Sequence, residues 1–247
     1  MECGFTQEKL MRAVFDQSIN EMLKAGEIFE LKGECLHHLL NVARIKAGEQ
    51  IMVLNGNGLE IITQLEKATN KSAFLKVVKI NFKEKNTWMD LALCLPKKEA
   101  YESILKSSVE MGISNIIQVK SEFSQKIFLS EERTDKIIET ALVQSNNPYL
   151  PVLQKTIEFE TLIEIVSGYD YVFAFSTKIK CDQKKINFGK KNLMLIGPEG
   201  GFSESEEKAI NVLANVNLLK MDLPIMRAPT AVNVALGYLL GFKDAQG

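Results

Sequence analysis

A glycine-rich segment near the carboxyl end of the chain has the residue types of a ligand-docking loop. The apolar run Leu193–Ile196 leads into Gly197-Pro198-Glu199-Gly200-Gly201-Phe202, and Ser203 with Glu206 matches the capping box that begins a helix. Closely spaced glycines let backbone groups approach a ligand, because no Cβ stands in the way. The segment therefore predicts a strand, a docking loop and a helix, at the sheet edge where open α/β folds bind ligands. A mere tight turn is the alternative.

The ligand of this loop is predicted to be neutral or cationic. The chain has no G-x-x-x-x-G-K-[ST] or G-x-G-x-x-G phosphate pattern, and Glu199 puts a carboxylate where an anion would sit. A second irregular loop, Asp222–Thr230, follows the apolar run Leu218–Met221 and enters another helix, with Pro229 where a first-turn proline is tolerated. Two such loops on successive strands can wall one pocket, and a sulfonium is a cation that suits it.

The elements that position these loops fall into two regions. Between Ile28 and Phe82, short apolar runs alternate with turn signals such as Asn55-Gly56-Asn57-Gly58, which predicts a small β-rich domain over residues 11–82. Within it, Glu34–Arg44 has the apolar spacing of a helix. Residues 87–247 alternate between strand and helix patterns, which predicts an α/β domain with a mostly parallel sheet covered on both faces.

The expected elements of the α/β domain put both loops at the carboxyl ends of strands. The strands are predicted at Met89–Leu95, Ile116–Val119, Tyr171–Phe175, Leu193–Ile196 and Leu218–Met221. The helices are predicted at Glu99–Met111, Glu131–Ser145, Thr161–Ser167, Glu204–Ala214 and Thr230–Leu240.

Composition excludes several classes of protein. With 247 residues, 46% of them hydrophobic and 25% charged, the chain has the composition of a soluble globular protein. It lacks the roughly 18 consecutive apolar residues of a membrane span and the apolar core of a signal peptide, so we expect it in the cytoplasm, away from membranes. A formal net charge of -1 means that any RNA-binding surface must be a local patch.

The cysteines favour neither disulfides nor a metal site. Cys3, Cys35, Cys94 and Cys181 form no C-x-x-C pair, and the chain has only two histidines. We interpret them as reduced thiols, mostly packing residues, and expect no bound metal.

Segments along most of the chain resemble one known family. L-I-G-P-E-G-G-F-S-x-x-E and P-I-M-R-A-P-T-A resemble the two carboxyl-terminal motifs of the 16S ribosomal RNA uridine-N3 methyltransferases, within the SPOUT (α/β-knot) superfamily. H-H-L-L-N-V-A-R-I-K-A-G-E-Q-I resembles the amino-terminal signature, and L-P-K-K-E, V-E-M-G-I-S and Q-S-x-x-x-x-x-P follow in the family's order. The glycine-rich motif is typical of the superfamily, whereas H-H-L-x-x-V-x-R narrows the resemblance to the family.

The resemblance implies a two-domain, knotted, RNA-modifying enzyme. It implies a PUA-like β-barrel that helps to bind RNA and a SPOUT domain whose carboxyl-terminal part forms a trefoil knot. It also implies a homodimer that transfers a methyl group from S-adenosyl-L-methionine to N3 of a uridine, U1498 in the family, of 16S rRNA within the 30S subunit. The cofactor-binding residues that it implies are Phe175, Ser176, Ile196, Gly197, Pro198, Gly200, Gly201, Met221, Ile225, Met226 and Ala228.

The same resemblance suggests catalytic residues. Arg227 matches a family arginine that would stabilise the uridine anion or hold a phosphate, with a surface arginine as the alternative. Glu199 would orient the loop or the ligand; alternatively it is a first-turn acid that interacts with the helix dipole.

Three residues are expected to contact RNA. Arg12, His38 and Arg44 match positions on the family's RNA-binding face, where cations contact phosphate and flat side chains stack on bases. The alternative for each is a plain surface role.

Departures from the family pattern leave a second hypothesis open. Several positions lack the residue common in the family, namely Ser107, Phe123, Asn147, Asp222, Pro224 and Pro229. Lost charges are expected either in a divergent active enzyme or in a non-catalytic module that binds rRNA in ribosome assembly. A third possibility, a nucleotide-phosphate enzyme, is disfavoured by the missing phosphate patterns. The intact glycine-rich loop favours the active enzyme.

Overall fold

The structure is a computed structural model that describes residues 11–42, 44–126, 129–176 and 186–246. The chain divides into two compact units. The first comprises the described residues up to Lys85 together with Leu142–Tyr149, and the second comprises Asn86–Ala141 and the residues from Leu150 onward. The first unit is therefore discontinuous in sequence.

In the first unit, a mixed sheet encloses an apolar core. Its elements are β1 (Ala13–Phe15), β2 (Ile28–Leu31), α1 (Gly33–His37), a π-helical turn (His38–Val42), β3 (Gln50–Leu54), β4 (Leu59–Ala68) and β5 (Ala73–Phe82). Within the described residues the sheet has five strands in the order β1-β3-β4-β5-β2; β1 pairs with β3 in parallel and the other pairs are antiparallel. The predicted β-rich region is thus present.

The helix predicted over Glu34–Arg44 is shorter and less regular than expected. It is α-helical only as far as His37 and continues as the π-helical turn. The amide of Ile45 then donates to the carbonyl oxygen of Leu39 at 3.2 Å, and Arg44 adopts a left-handed φ of 50°. A residue in this conformation ends a helix. Ala43, inside the predicted span, lies outside the described residues.

The second unit is built on a parallel sheet. Its elements are β6 (Asp90–Cys94), α2 (Lys98–Glu110), β7 (Asn115–Lys120), α3 (Glu131–Ser145, whose last turn belongs to the first unit), β8 (Val152–Leu153), β9 (Ile157–Glu158), α4 (Phe159–Val166), β10 (Tyr171–Phe175), β11 (Asn192–Ile196), α5 (Glu204–Asn211), β12 (Val216–Leu219) and α6 (Ala228–Asp244). In the part of the chain that is described, the strand order is β12-β10-β11-β6-β7-β8, with β9 also on β7, and all pairs are parallel.

Both faces of this sheet are buried, as predicted. Along β6, Leu91 and Leu93 belong to one apolar cluster, whereas Ala92 and Cys94 belong to another. Because alternate residues of a strand point to opposite faces, each cluster covers one side of the sheet. The α/β fold with a parallel sheet is confirmed, whereas the trefoil knot stays a prediction.

Some predicted boundaries were wrong. The last strand is Val216–Leu219, two residues earlier than predicted, because its register pairs Leu219 with Phe175, the end of β10. Helix α5 ends at Asn211, and α6 begins at Ala228, two residues before the predicted start, since Pro229 fits within a first turn. The two-residue strands β8 and β9 were not predicted, because pairs this short carry no periodic pattern.

No described helix combines the length and apolarity needed to cross a bilayer.

Candidate functional site

Three parallel strands deliver their following loops to one edge of the second unit. β10 lies between β11 and β12, so the loops after Phe175, Ile196 and Leu219 leave the sheet side by side. Backbone pairing continues past the strand ends, since the amide of Ser176 donates to the carbonyl oxygen of Leu219 at 3.1 Å. Carboxyl ends of parallel strands are where open α/β sheets bind ligands.

These loops surround a cavity of about 340 Å³. All eleven residues predicted to bind cofactor line it: Phe175, Ser176, Ile196, Gly197, Pro198, Gly200, Gly201, Met221, Ile225, Met226 and Ala228. The volume lies within the range of small-molecule sites. The structure thus brings together residues up to 53 positions apart that the family resemblance implied, although their role in binding stays a prediction.

The cavity is also lined by Glu199, which was predicted as a catalytic residue. Six further lining residues were not predicted to bind the cofactor, namely Phe202, Glu207, Leu219, Leu223, Pro224 and Ala231. Ala231 stands one helical turn after the predicted residue Ala228, so helical spacing would have found it.

The shape of the glycine-rich loop depends on its glycines. Gly201 has a φ of 73°, and its amide closes a turn by donating to the carbonyl oxygen of Pro198 at 2.8 Å. A Cβ on Gly197 would lie 3.2 Å from the Phe202 ring, and a Cβ on Gly200 would lie 3.1 Å from the Cβ of Phe123. Side chains at these positions would therefore crowd the loop.

Glu199 fixes the loop to a different helix from the one expected. The amide of Lys97, at the start of α2, donates to Oε1 of Glu199 at 3.1 Å. The alternative that Glu199 is a first-turn acid of the following helix was wrong, because that helix is capped by Ser203, four residues later. The carboxylate instead satisfies one of the free amides at the amino terminus of α2.

The predicted capping box of α5 is present and reaches a further loop. The amide of Glu206 donates to Oγ of Ser203 at 3.4 Å, and the amide of Ser203 donates to Oε2 of Glu206 at 2.9 Å. The other carboxylate oxygen of Glu206 accepts from the amide of Glu122 at 2.8 Å. This buried carboxylate therefore joins α5 to the loop after β7.

The charge of the cavity favours a cation. Glu199 and Glu207 are the charged side chains among its described lining residues, and both are acidic. The remaining lining is mostly backbone of the glycine-rich loop and apolar side chains such as Leu219, Leu223 and Met226. A flat, positively charged molecule fits this environment better than a phosphate does.

Comparisons with known proteins agree with this geometry. The family model described as the RNA methyltransferase domain matches residues 83–240, and the model described as the RNA methyltransferase PUA domain matches residues 31–78. The first match covers more than half of the chain. The chain belongs to the RNA methyltransferase family.

Similar proteins support the assignment. The chain is 29% identical over 235 residues to ribosomal RNA small subunit methyltransferase E 2 of Borreliella burgdorferi, covering 89% of this chain and 94% of that one. It is 24% identical to ribosomal RNA small subunit methyltransferase E of Bacillus subtilis, covering 79% and 83%. The crystal structure of the Neisseria gonorrhoeae methyltransferase E bound to S-adenosyl methionine has a similar fold, with a TM-score of 0.79 at 22% identity over 93% and 96% of the chains.

In this RNA methyltransferase, Arg227 stands between two residues that line the cavity but does not line it itself. It precedes the first residue of α6, between the lining residues Met226 and Ala228, and it is exposed. Within the described part of the chain, no hydrogen bond or ion pair engages its guanidinium group. The side chain is therefore available to a ligand that approaches from solvent.

The three residues predicted to bind RNA lie in the first unit, in different environments. Arg12 forms an ion pair with Glu49 at 3.1 Å. His38 is half-buried in the π-helical turn, and this burial, with a smaller effect of His37, lowers its pKa. Arg44 is exposed. His38 is therefore neutral at physiological pH, and Arg44 is the freer cation of the two arginines; RNA contact stays a prediction for all three.

The departures from the family pattern occupy varied places. Ser107 is buried in α2, where its hydroxyl donates to the carbonyl oxygen of Ser103 at 3.2 Å. The side chain of Asn147 accepts from the amide of Tyr149 at 3.0 Å. Pro224 lines the cavity and Asp222 is exposed beside it. Phe123 packs against Gly200.

The two described thiols lie in different environments. Cys35 is half-buried and donates to the carbonyl oxygen of Phe15 at 2.8 Å, while burial raises the pKa of the Cys94 thiol to about 12. Cys3 and Cys181 lie outside the described residues. Over the described ranges, no group of three His, Cys, Asp or Glu side chains is arranged to hold a metal ion.

Proposed function

We propose that this RNA methyltransferase transfers a methyl group from S-adenosylmethionine to N3 of a uridine in 16S rRNA of the small ribosomal subunit, with U1498 as the target. The cavity at the carboxyl ends of β10, β11 and β12 carries the proposal, because it joins a glycine-rich backbone, apolar walls and acidic charge. The names of the curated relatives support the RNA substrate.

The lining residues suit each part of this cofactor. Apolar side chains such as Leu219 and Met226 would cover the flat adenine, and backbone groups of Gly197–Gly201 would bind its polar edge and the ribose. Glu207 and Glu199 would balance the positive charge of the sulfonium and the amino group. When bound, the cofactor supplies an electrophilic methyl carbon.

The protein must then prepare the uridine. Its N3 carries a proton at neutral pH, and transfer of that proton to water leaves an anion with a lone pair on the nitrogen. Arg227, exposed between two lining residues, would stabilise this anion through its positive charge. The walls of the cavity would hold the nitrogen in line with the methyl group, which supplies much of the rate.

Radiolabelled S-adenosylmethionine and undermethylated 30S subunits test the proposal. We expect label in 16S rRNA, and we expect reverse transcriptase to stop at one uridine, because N3 methylation blocks its pairing edge. A folded protein that leaves rRNA unlabelled would disprove the activity. If that protein also failed to bind the cofactor in calorimetry while retaining rRNA in a filter assay, the non-catalytic module would be the correct function.

We propose further that the enzyme acts in the cytoplasm, where ribosomal subunits assemble, and as a homodimer. Tyr238 and Phe242 support the dimer, since their rings stack edge to face on α6 and remain 40% and 38% exposed. Exposed neighbouring aromatic rings are typical of protein interfaces. Light scattering on the purified protein would give twice the chain mass if the proposal is correct.

A further inference from the structure

An exposed aromatic ring lies beside the cofactor loop. Phe123, in the loop after β7, is 44% exposed, and its Cβ and Cγ pack against Gly200. A single exposed apolar side chain is ordinary on a protein surface. Phe123 is unusual in its position, because Gly200 itself lines the cavity proposed for the cofactor.

The turn that carries Phe123 is held in place from several directions. The amide of Ser121 donates to Oγ of Ser124 at 3.0 Å, and the amide of Ser124 donates back to the carbonyl oxygen of Ser121 at 3.1 Å. On either side of the ring, the amide of Glu122 donates to the buried carboxylate of Glu206, and the amide of Gln125 donates to the carbonyl oxygen of Leu95 at 2.9 Å. The ring is thus presented to solvent on a rigid support.

The groove beside the ring favours a neutral, flat ligand. It has a volume of about 540 Å³ and is lined by Phe123, Glu122, Ser203, Glu204, Ser205 and Lys208. The carboxylates of Glu122 and Glu204 outnumber the single cation Lys208, so they oppose a phosphate but accept hydrogen bonds from N–H groups. The serine hydroxyls both donate and accept. A nucleobase matches this set, since it offers a π face to the ring and polar edges to the groove.

We infer that Phe123 is a stacking platform for an unpaired nucleobase of the RNA substrate, next to the methyl-transfer cavity. The inference rests on the proposed function, because it requires an RNA substrate at that cavity.

Steady-state kinetics with undermethylated 30S subunits test this role. Phe123→Leu keeps apolar volume but loses the π face, so KM for the RNA rises by roughly 5- to 100-fold, the range expected for loss of one base–aromatic stack. Phe123→Tyr keeps the ring and retains the wild-type KM. Val212→Ala serves as the matched control, because Val212 is an exposed apolar residue, 81% exposed, at the other end of α5.

Other readouts separate stacking from a structural role. Calorimetry should give the same cofactor Kd for Phe123→Leu and wild type; a parallel loss of cofactor affinity would mean that the ring only supports Gly200, and would overturn the inference. An unchanged KM, or a Tyr variant as impaired as the Leu variant, would also overturn it. So would a change in oligomeric state at unchanged KM, because the ring would then contact a second copy.

A binding assay keeps the inference testable if no methylation is seen. Phe123→Trp places an indole on the turn, and the natural Trp88 is buried and gives a constant background. A short uridine-containing oligoribonucleotide should quench the new emission, and inorganic polyphosphate should not. Quenching without methyl transfer would retain the stacking role and reject the proposed function. Absence of quenching by the RNA, or equal quenching by polyphosphate, would reject the stacking role.

Discussion

At the scale of single residues, Arg227 combines a fixed backbone with an unengaged side chain. Its backbone is extended, with φ of -66° and ψ of 152°, and its carbonyl oxygen accepts from the amide of Ala231 at 2.9 Å. The backbone position of Arg227 is thus fixed, whereas its guanidinium group is available to a ligand.

Replacement of Arg227 should reduce the rate of methyl transfer without reducing cofactor binding. We expect Arg227→Ala to lower kcat by about 10²- to 10³-fold, as loss of one anion-stabilising donor does in other enzymes. Arg227→Lys keeps the charge and should lose less. Single-turnover kinetics and calorimetry measure both effects, and an equal loss of cofactor affinity would instead make Arg227 a cofactor-binding residue.

His38 should make the first unit less stable in mild acid. Its pKa is below the usual 6.5, so the unfolded chain binds more protons once the pH falls below about 6.5. The stability linked to this imidazole is present above that pH and is lost as the pH falls toward the lower folded pKa. Between pH 7.5 and 5.5 the urea midpoint, followed by the amide signals of β3–β5, should fall less in His38→Gln than in wild type.

The neighbouring His37, which is exposed, provides the control. His37→Gln leaves the burial of His38 in place and should keep most of the pH dependence. An equal effect of the two substitutions would show that burial of His38 is not the main cause.

At the scale of elements, α5 depends on one buried carboxylate. Glu206 caps its own helix and also accepts from the loop that carries Phe123. We expect Glu206→Ala to lower the free energy of unfolding of the second unit by about 2 to 4 kcal/mol, since it removes a cap and leaves a buried amide without its charged acceptor. Urea unfolding followed by the emission of Trp88 measures it.

Glu204 provides the comparison for this prediction, because it lies in the same first turn but is exposed. Glu204→Ala should change stability by less than about 0.5 kcal/mol. Equal losses for the two variants would mean that the helix dipole, and not the buried hydrogen bonds, gives Glu206 its effect.

The sequence predicted elements wherever the pattern was local. The helix Glu131–Ser145 and the strand Tyr171–Phe175 have their predicted bounds. In each, the spacing of apolar residues that defines the element lies entirely within the segment. The position of β12 could not be predicted, since its end is set by pairing with β10, more than 40 residues earlier. The partner of Glu199 was missed for the same reason, because Lys97 is 102 residues away.

The candidate site was predictable to a similar extent. The loop Gly197–Gly201 was found from residue type, because glycine indicates a backbone that adopts a positive φ or closely approaches a ligand. Side chains such as Glu207 and Leu219 face the cavity only because of how helix and strand are oriented, and no local pattern reports that.

At the scale of the whole molecule, the first unit is completed by a segment from far along the chain. The hydroxyl of Tyr149 donates to the carbonyl oxygen of Lys83 at 2.6 Å, and the side-chain amide of Asn146 donates to the carbonyl oxygen of Met11 at 3.0 Å. The amide of Gly58 donates to the carbonyl oxygen of Pro148 at 2.9 Å.

A side chain at Gly58 should therefore destabilise the first unit alone. Gly58 has a φ of 96°, and an added Cβ would overlap the Tyr149 hydroxyl, so we expect Gly58→Ala to cost about 3 kcal/mol or more. Gly48 has a similar φ of 84°, but an added Cβ there would meet open space. Gly48→Ala therefore measures the cost of the backbone conformation alone. Amide signals of β3–β5 in a urea titration report the first unit, and cofactor affinity should not change.

The double variant Gly58→Ala/Tyr149→Ala identifies the cause. Removal of the tyrosine ring should lower the cost of the Gly58 substitution but leave it above that of Gly48→Ala, because the added Cβ would still lie 2.9 Å from the carbonyl oxygen of Lys83. If the cost at Gly58 is already the same as at Gly48 while Tyr149 is present, the close packing of Gly58 and Tyr149 has no energetic effect.

The discontinuity of the first unit has a consequence for biosynthesis. Translation runs from the amino terminus, and domains generally fold as they emerge from the ribosome. Here the strands β1–β5 emerge long before Leu142–Tyr149, and β6, α2 and β7 of the other unit are made in between. The nascent chain must hold the first unit incomplete while it begins the second, so a ribosome stalled before residue 142 would carry an N-terminal half that is sensitive to protease.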